Sequence, residues 1–186
     1  MKNLKDKIII ISGVAGSGKG SVWSVLRNYP DKFGISISYT TRSKREGETD
    51  GVDYHFISEQ EFDQAFKNNE FLEWENVHFD KYGTKKADFD EIISGGRIPV
   101  LELDVKGTVE VKKIYPNNLC IFITTPIMED AMERLKKRGT ETAETLNKRI
   151  SRYKMEVAYA KDYDYIIVND DLKRAQQELL AIINAK

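Results

Sequence analysis

Apolar residues cluster in four runs along the chain: Lys7–Ser12, Pro99–Val105, Leu119–Thr124 and Tyr165–Val168. The first contains four consecutive isoleucines, Ile8 to Ile11. A continuous apolar run of strand length belongs to a strand buried on both faces. Helical patterns separate or follow the runs, and this alternation predicts an α/β fold with a parallel core sheet flanked by helices, three layers in all. In such sheets ligands bind at the carboxyl ends of the strands. Residues 35–88 break the alternation. Ile35–Tyr39 alternates as a half-exposed strand, Val52–Phe56 and Phe71–His78 also look strand-like, and Ser58-Glu59-Gln60-Glu61 is a capping-box signal for a helix running to about Asn68. A small mixed α/β insertion is expected there. After Pro126 come a helix to Arg138, a break at Gly139-Thr140 and a long helix from about Ala143 to Lys161. The last helix, Leu172–Ala185, has Asp171 as its expected N-cap. One domain over 1–186 results: a core of 1–34, 89–125 and 162–186, an insert of about 35–88, and a helical insertion of about 126–161.

Composition narrows the function classes. The 186 residues carry 29 basic and 30 acidic side chains, a formal charge of −1. That balance argues against a general nucleic-acid or membrane-surface binder, and no apolar run is long enough to span a bilayer. Met1–Asp6 lacks the apolar stretch of a signal peptide. The single cysteine, Cys120, lies in an apolar run and cannot pair within the chain, so it reads as a small packing residue. A reducing cytoplasm fits these features.

Candidate chemistry begins where the first strand ends. Gly13-Val14-Ala15-Gly16-Ser17-Gly18-Lys19-Gly20-Ser21 follows the isoleucines directly. Glycines there let the backbone curl so that N–H groups point at a phosphate chain. Lys19 adds a mobile charge at β- and γ-phosphates, and a helix expected over Ser21 to Asn28 would face its positive end the same way. Strand, glycine loop, lysine and helix point to a nucleoside triphosphate, against the plainer alternative of a glycine-rich turn with a surface lysine. Gly20 stands where the common phosphate loop has Ser or Thr, and the hydroxyl comes one place later, at Ser21. That variant resembles nucleoside monophosphate kinases, in which Mg²⁺ is held largely through water and phosphates. No direct protein ligand is expected, with Ser21 the one candidate hydroxyl.

Five further segments lie in order downstream: Thr40–Glu48, Asp50–Phe56, Phe71–Trp74, Lys81–Thr84 and Leu101–Gly107. With them the chain closely resembles the guanylate kinase family from the loop to Asp171. The resemblance implies a P-loop kinase fold with an inserted GMP-binding subdomain and a helical lid, ATP and GMP as substrates, and Mg²⁺ as cofactor. It implies that Arg42, Arg45, Tyr54 and Tyr82 bind the GMP phosphate, a mix of planar forked donors and neutral hydroxyls suited to that anion. Glu73, Thr84 and Asp104, with Ser38, match the positions that read guanine. A carboxylate can accept both the ring N1–H and the amino group, and a hydroxyl can donate to O6. Asp104 at a strand end is equally compatible with helping a metal shell. Arg134, Arg138 and Arg149 match the lid arginines that stabilise the phosphoryl group in flight, and Asn169 matches a position near adenine.

Taken without the resemblance, each of these has a plainer reading: solvated loop charges for Arg42 and Arg45, packing for the tyrosines, an edge-strand surface for Glu73, a solvated helix face for the lid arginines, a loop residue for Asn169. His55 and His78 are weak general-base candidates, because the acceptor phosphate is already anionic. Two more departures from the family pattern are Lys106, where many members carry Gln, and Phe79-Asp80-Lys81 in place of a shorter turn. The expected reaction is GMP + ATP = GDP + ADP, with Lys19, Arg42 and the lid arginines catalytic. The alternatives are a kinase for another nucleoside monophosphate and a non-catalytic protein-binding module of the same fold. A monomer and a homo-oligomer are both compatible with the sequence.

Overall fold

Nine strands and seven α-helices are traced in a computed structural model, which describes residues 8–77, 80–137 and 143–185. Met1–Asp6, the expected strand start at Lys7, His78, Phe79, Arg138 and the break at Gly139-Thr140 lie outside them. The isoleucine run forms β1 (Ile8–Gly13) and pairs in parallel with β7 (Ile98–Glu102) on one side and β8 (Asn118–Thr124) on the other. β2 (Phe33–Ser36) and β9 (Tyr165–Val168) complete a five-stranded parallel sheet, ordered β2-β7-β1-β8-β9.

Successive side chains of a strand point to opposite faces, and both faces of β1 are covered. Ile9 and Ile11 pack with Val22 of α1 (Lys19–Trp23) and with Leu179 and Ile183 of α7 (Leu172–Asn184). Ile8 and Ile10 pack with Phe89 of α3 (Lys86–Ser94) and Val111 of α4 (Val105–Ile114). A third cluster joins Val14 and Phe122 to Ala131, Met132 and Leu135 of α5 (Met128–Lys137) and Tyr153 of α6 (Ala143–Ala158). Cys120 is a free, buried thiol in the core, and burial pushes its pKa up to about 12, which fits a packing role. No helix among the described residues is long and apolar enough to cross a membrane.

The second sheet has four strands, ordered β4-β3-β6-β5. These are β3 (Tyr39–Thr40), β4 (His55–Phe56), β5 (Phe71–Val77) and β6 (Asp80–Lys85), mixed in direction. Helix α2 (Glu59–Lys67) packs on this sheet through Phe62 against Phe71. Its capping box is complete: Ser58 Oγ accepts from Glu61 N, and Glu61 Oε2 accepts from Ser58 N at 2.8 Å.

Several expectations change. Ile35–Tyr39 is not one strand: Phe33–Ser36 belongs to the core sheet, and a new strand starts at Tyr39 in the second sheet. Val52–Phe56 shrinks to His55–Phe56, because Gly51 turns the chain with φ +71°. The helix expected over Ser21–Asn28 is the five-residue α1 followed by a 3₁₀ segment, Ser24–Asn28. The Ser24 hydroxyl bonds Ser21 O there, an example of Ser competing with regular helix. The strand expected to reach Val105 stops at Glu102, because Asp104 caps α4 by accepting from Gly107 N at 2.8 Å. The long helix ends at Ala158 rather than Lys161, and a 3₁₀ turn covers Ala160–Asp162.

Candidate active site

The loop after β1 has the backbone its sequence demands. Gly13 and Gly16 have φ of +146° and +84°, and a Cβ would lie 2.0 Å from Ile123 O at the first and 2.4 Å from Ala131 O at the second. Only glycine fits either place. Three loop amides are engaged by protein: Val14 N with Ile123 O, Ser17 N with Val14 O, and Ala15 N with Glu156 Oε2 at 3.1 Å. The loop's capacity for phosphate therefore rests on its other N–H groups and on Lys19. The Lys19 ammonium makes no hydrogen bond or ion pair among the described residues. Because α1 is only five residues long, individual N–H groups matter here more than a helix dipole.

Two other expected residues brace the loop from the far side. Asn169 Nδ2 donates to Ser17 O at 2.7 Å, and Arg134 donates to Ser17 O at 3.2 Å and to Asn169 O at 2.8 Å. Arg149 lies half-buried on α6, and Ser21 is exposed on α1. Arg138 is not among the described residues.

The second cluster lies on the four-stranded sheet. Arg42 forms a forked pair with Glu48, at 2.7 and 3.0 Å, and lies over the rings of Tyr54 and Phe56. Arg45 N also donates to Glu48, at 2.8 Å. Burial alone would raise the Glu48 carboxyl, but these bonds outweigh it and hold the group below its ordinary value. Tyr54 and Tyr82 meet edge to face with centroids 5.8 Å apart. Burial pushes the Tyr54 phenol far above its usual range, so it remains a neutral donor. A small open cleft beside this cluster is lined by Trp23, Ser36, Ser38, Tyr54 and Glu102.

Glu73 and Thr84 are cross-strand neighbours on β5 and β6, and the buried Thr84 hydroxyl donates to Glu73 Oε1 at 2.6 Å. In the free protein that proton faces Glu73, so donation to a base would require the hydroxyl to turn. Burial, with repulsion from Asp104, pushes the Glu73 carboxyl up to about 7 against the opposing effect of Thr84. Glu73 and Asp104 converge at Gly107, where a Cβ would lie 2.8 Å from Glu73 Oε2 and 3.3 Å from Asp104 Oδ1.

Sequence reasoning missed several members of this site. Glu102 ends β7, accepts from Trp23 Nε1, and its Oε2 is the nearest atom, at 3.7 Å, to a Cβ built at Gly20. It therefore stands between the phosphate loop and Tyr54. Its place two residues before Asp104, within the strand expected over Pro99–Val105, was a usable signal. Glu48, three residues after Arg45, was another. Glu75, Gly107, Arg152 and Glu156 carried no pattern that reveals what they touch.

Comparison with known proteins places the whole chain in one family. The family model for guanylate kinase matches residues 5–186. The guanylate kinase of Carboxydothermus hydrogenoformans is 42% identical over 182 residues, covering 98% of this chain and 89% of that protein. That of Clostridium tetani is 41% identical over 183 residues, covering 98% and 87%. The crystal structure of guanylate kinase from Anaplasma phagocytophilum superposes with a TM-score of 0.74 at 25% identity, covering 96% of this chain and 85% of that one.

Proposed function

The chain belongs to the guanylate kinase family, and from that premise we propose how its residues divide the work of phosphorylating GMP to GDP with ATP. ATP lies along Gly13–Ser21, with its phosphates on the N–H groups not engaged by protein and on Lys19. Arg134 and Asn169 shape that loop through Ser17 O. The GMP phosphate lies against Arg42, Arg45, Tyr54 and Tyr82. Arg42 then exchanges its fork with Glu48 for a fork on phosphate, so a preformed planar site is already oriented before the ligand arrives. Guanine lies against Glu73, Thr84, Asp104 and Ser38, its two edge donors facing carboxylate acceptors.

Ser21 and Glu102 offer hard oxygen donors beside the loop, and that donor set fits Mg²⁺, directly or through water. When bound, the ion supplies neutralisation of charge on the β- and γ-phosphates. The remaining work is the chain's own. The acceptor is an anionic phosphate that needs no base, so positioning and charge stabilisation by Lys19, Arg42, Arg134, Arg138 and Arg149 suffice. The two inserted segments act as a pocket and a lid that exclude water, the competing acceptor.

The observation that carries this reading is the position of Glu102, which faces the phosphate loop at Gly20 and also lines the cleft beside Tyr54. This supports a reading in which the two substrate sites open toward one another. ADP release measured with GMP, AMP, dTMP and no acceptor tests it. GMP should support turnover far above the others, and equal rates with AMP would overturn the base assignment.

A further inference from the structure

A line of charged hydrogen bonds crosses the molecule between the two substrate sites. Glu156 on α6 is 4% exposed and accepts from the loop amide of Ala15, 141 residues away in sequence, at 3.1 Å. Its other oxygen accepts from Arg152 Nε at 2.7 Å, one helical turn earlier. Arg152 Nη2 reaches Asp104 Oδ2 at 3.0 Å, and Asp104 Oδ1 takes Gly107 N. Asp104 has two acidic neighbours on β5, Glu73 and Glu75. Glu75 is paired in turn with Lys106 on α4 at 3.1 Å.

Three carboxyl groups are thus gathered at the base pocket, and one guanidinium holds Asp104 through Oδ2, the oxygen that Gly107 N does not take. Such a group is an effective acceptor for guanine only while it stays aimed. Crowded by two other acids and without Arg152, it would turn away, and that change removes an acceptor. Burial and the adjacent Asp104 already push Glu75 up to about 7, which illustrates the crowding.

We infer that Arg152 is a positioning residue for base recognition: its fork, held at one arm by Glu156, aims Asp104 into the guanine pocket. This rests on the assignment of Asp104 to guanine. Arg152 lies three residues beyond Arg149 on the same helix but serves the base and not the transferred phosphoryl group. Its forked geometry lets one side chain serve two carboxylates, which a lysine cannot do.

A double-mutant cycle on the intact enzyme tests it, with KM and kcat for GMP and KM for ATP measured for Arg152→Met, Asp104→Asn and the pair. Arg152→Met should raise the KM for GMP roughly 10- to 100-fold, the range for one buried charge-assisted hydrogen bond. It should lower kcat less and change the KM for ATP by less than about threefold, since Glu156 keeps Ala15. In the Asp104→Asn background the same change should add less than about threefold. Arg152→Lys should fall between wild type and Arg152→Met. If Arg152→Met does not fold, Arg152→Lys carries the same cycle, with a smaller effect on GMP that disappears beside Asp104→Asn. Equal effects in both backgrounds, or a rise for ATP as large as that for GMP, would overturn the inference. An unchanged KM for GMP in Asp104→Asn alone would overturn it by a different route, by removing Asp104 from base reading.

Discussion

Glu73, the carboxylate proposed to read guanine, shows at the scale of one residue how a charged group is held in place at a cost to the free protein. Its carboxyl is pushed up to about 7 from 4.5. Between those values the folded state binds more protons than the unfolded state, so stability falls as pH rises through that window. Glu73→Gln removes the ionisation. Its melting temperature should gain on wild type at pH 8, and the gain should shrink toward pH 4.5. A difference independent of pH would contradict the assigned burial. The same substitution exchanges one acceptor oxygen for a donor amide, so it should lower kcat/KM for GMP and narrow the GMP-to-AMP ratio. A site built for hydrogen bonds can discriminate by roughly 10⁴-fold, because a wrong base leaves its groups unpaired. An intact ratio would shift the reading role to Asp104. Glu73 and Thr84 could be named from sequence, because carboxylate and hydroxyl chemistry suits guanine. The bond between them could not, since it depends on register across β5 and β6.

At the scale of elements, legibility followed continuous apolar runs of strand length. β1, β7 and β8 are buried along most of their length, and β9, the edge strand with Ile166 exposed, is apolar throughout, so all four read as runs. β2 runs together in sequence with the residues leading to Tyr39, because Phe33-Gly34-Ile35-Ser36 is short and Gly34 leaves room for Ile92 of α3, whose side chain would lie 2.3 Å from a Cβ there. β6, Asp80-Lys81-Tyr82-Gly83-Thr84-Lys85, is polar and turn-like in sequence, and only its pairing with β3 and β5 makes it a strand. Helix caps are legible because they are local: Ser58 and Asp171 both accept the expected amide. Ser58→Ala should therefore lower stability by about 1 kcal/mol in urea titration, the usual worth of an N-cap, and leave the KM for GMP unchanged. Gly16→Ala should behave in the opposite way at the site. With φ at +84° and Ala131 O at 2.4 Å, the loop must deform, so binding of ATP should weaken at least tenfold while GMP binding holds. Near-normal ATP binding in Gly16→Ala would show that the loop does not cradle the phosphates.

At the scale of the whole molecule, the parallel sheet carries the phosphate loop and the second sheet carries the arginine–tyrosine cluster, with Glu102 and the cleft between them. Helix α6 reaches both sites through Arg152 and Glu156. No sequence pattern announces this long-range organisation, because its contacts join residues far apart in the chain. If the insert and lid close together over the substrates, GMP with a non-hydrolysable ATP analogue should compact the protein in small-angle scattering more than either ligand alone; identical profiles would count against closure. On this reading the glycine loop binds ATP, and Lys19 supplies charge to the transferred group and no structural support. The direct test is the rate of GDP formation by Lys19→Met alongside its melting temperature. The melting temperature should be unchanged and the rate should fall by roughly 10³-fold or more, the scale of a key charge on a phosphoryl group. A rate within a few-fold of wild type would contradict it.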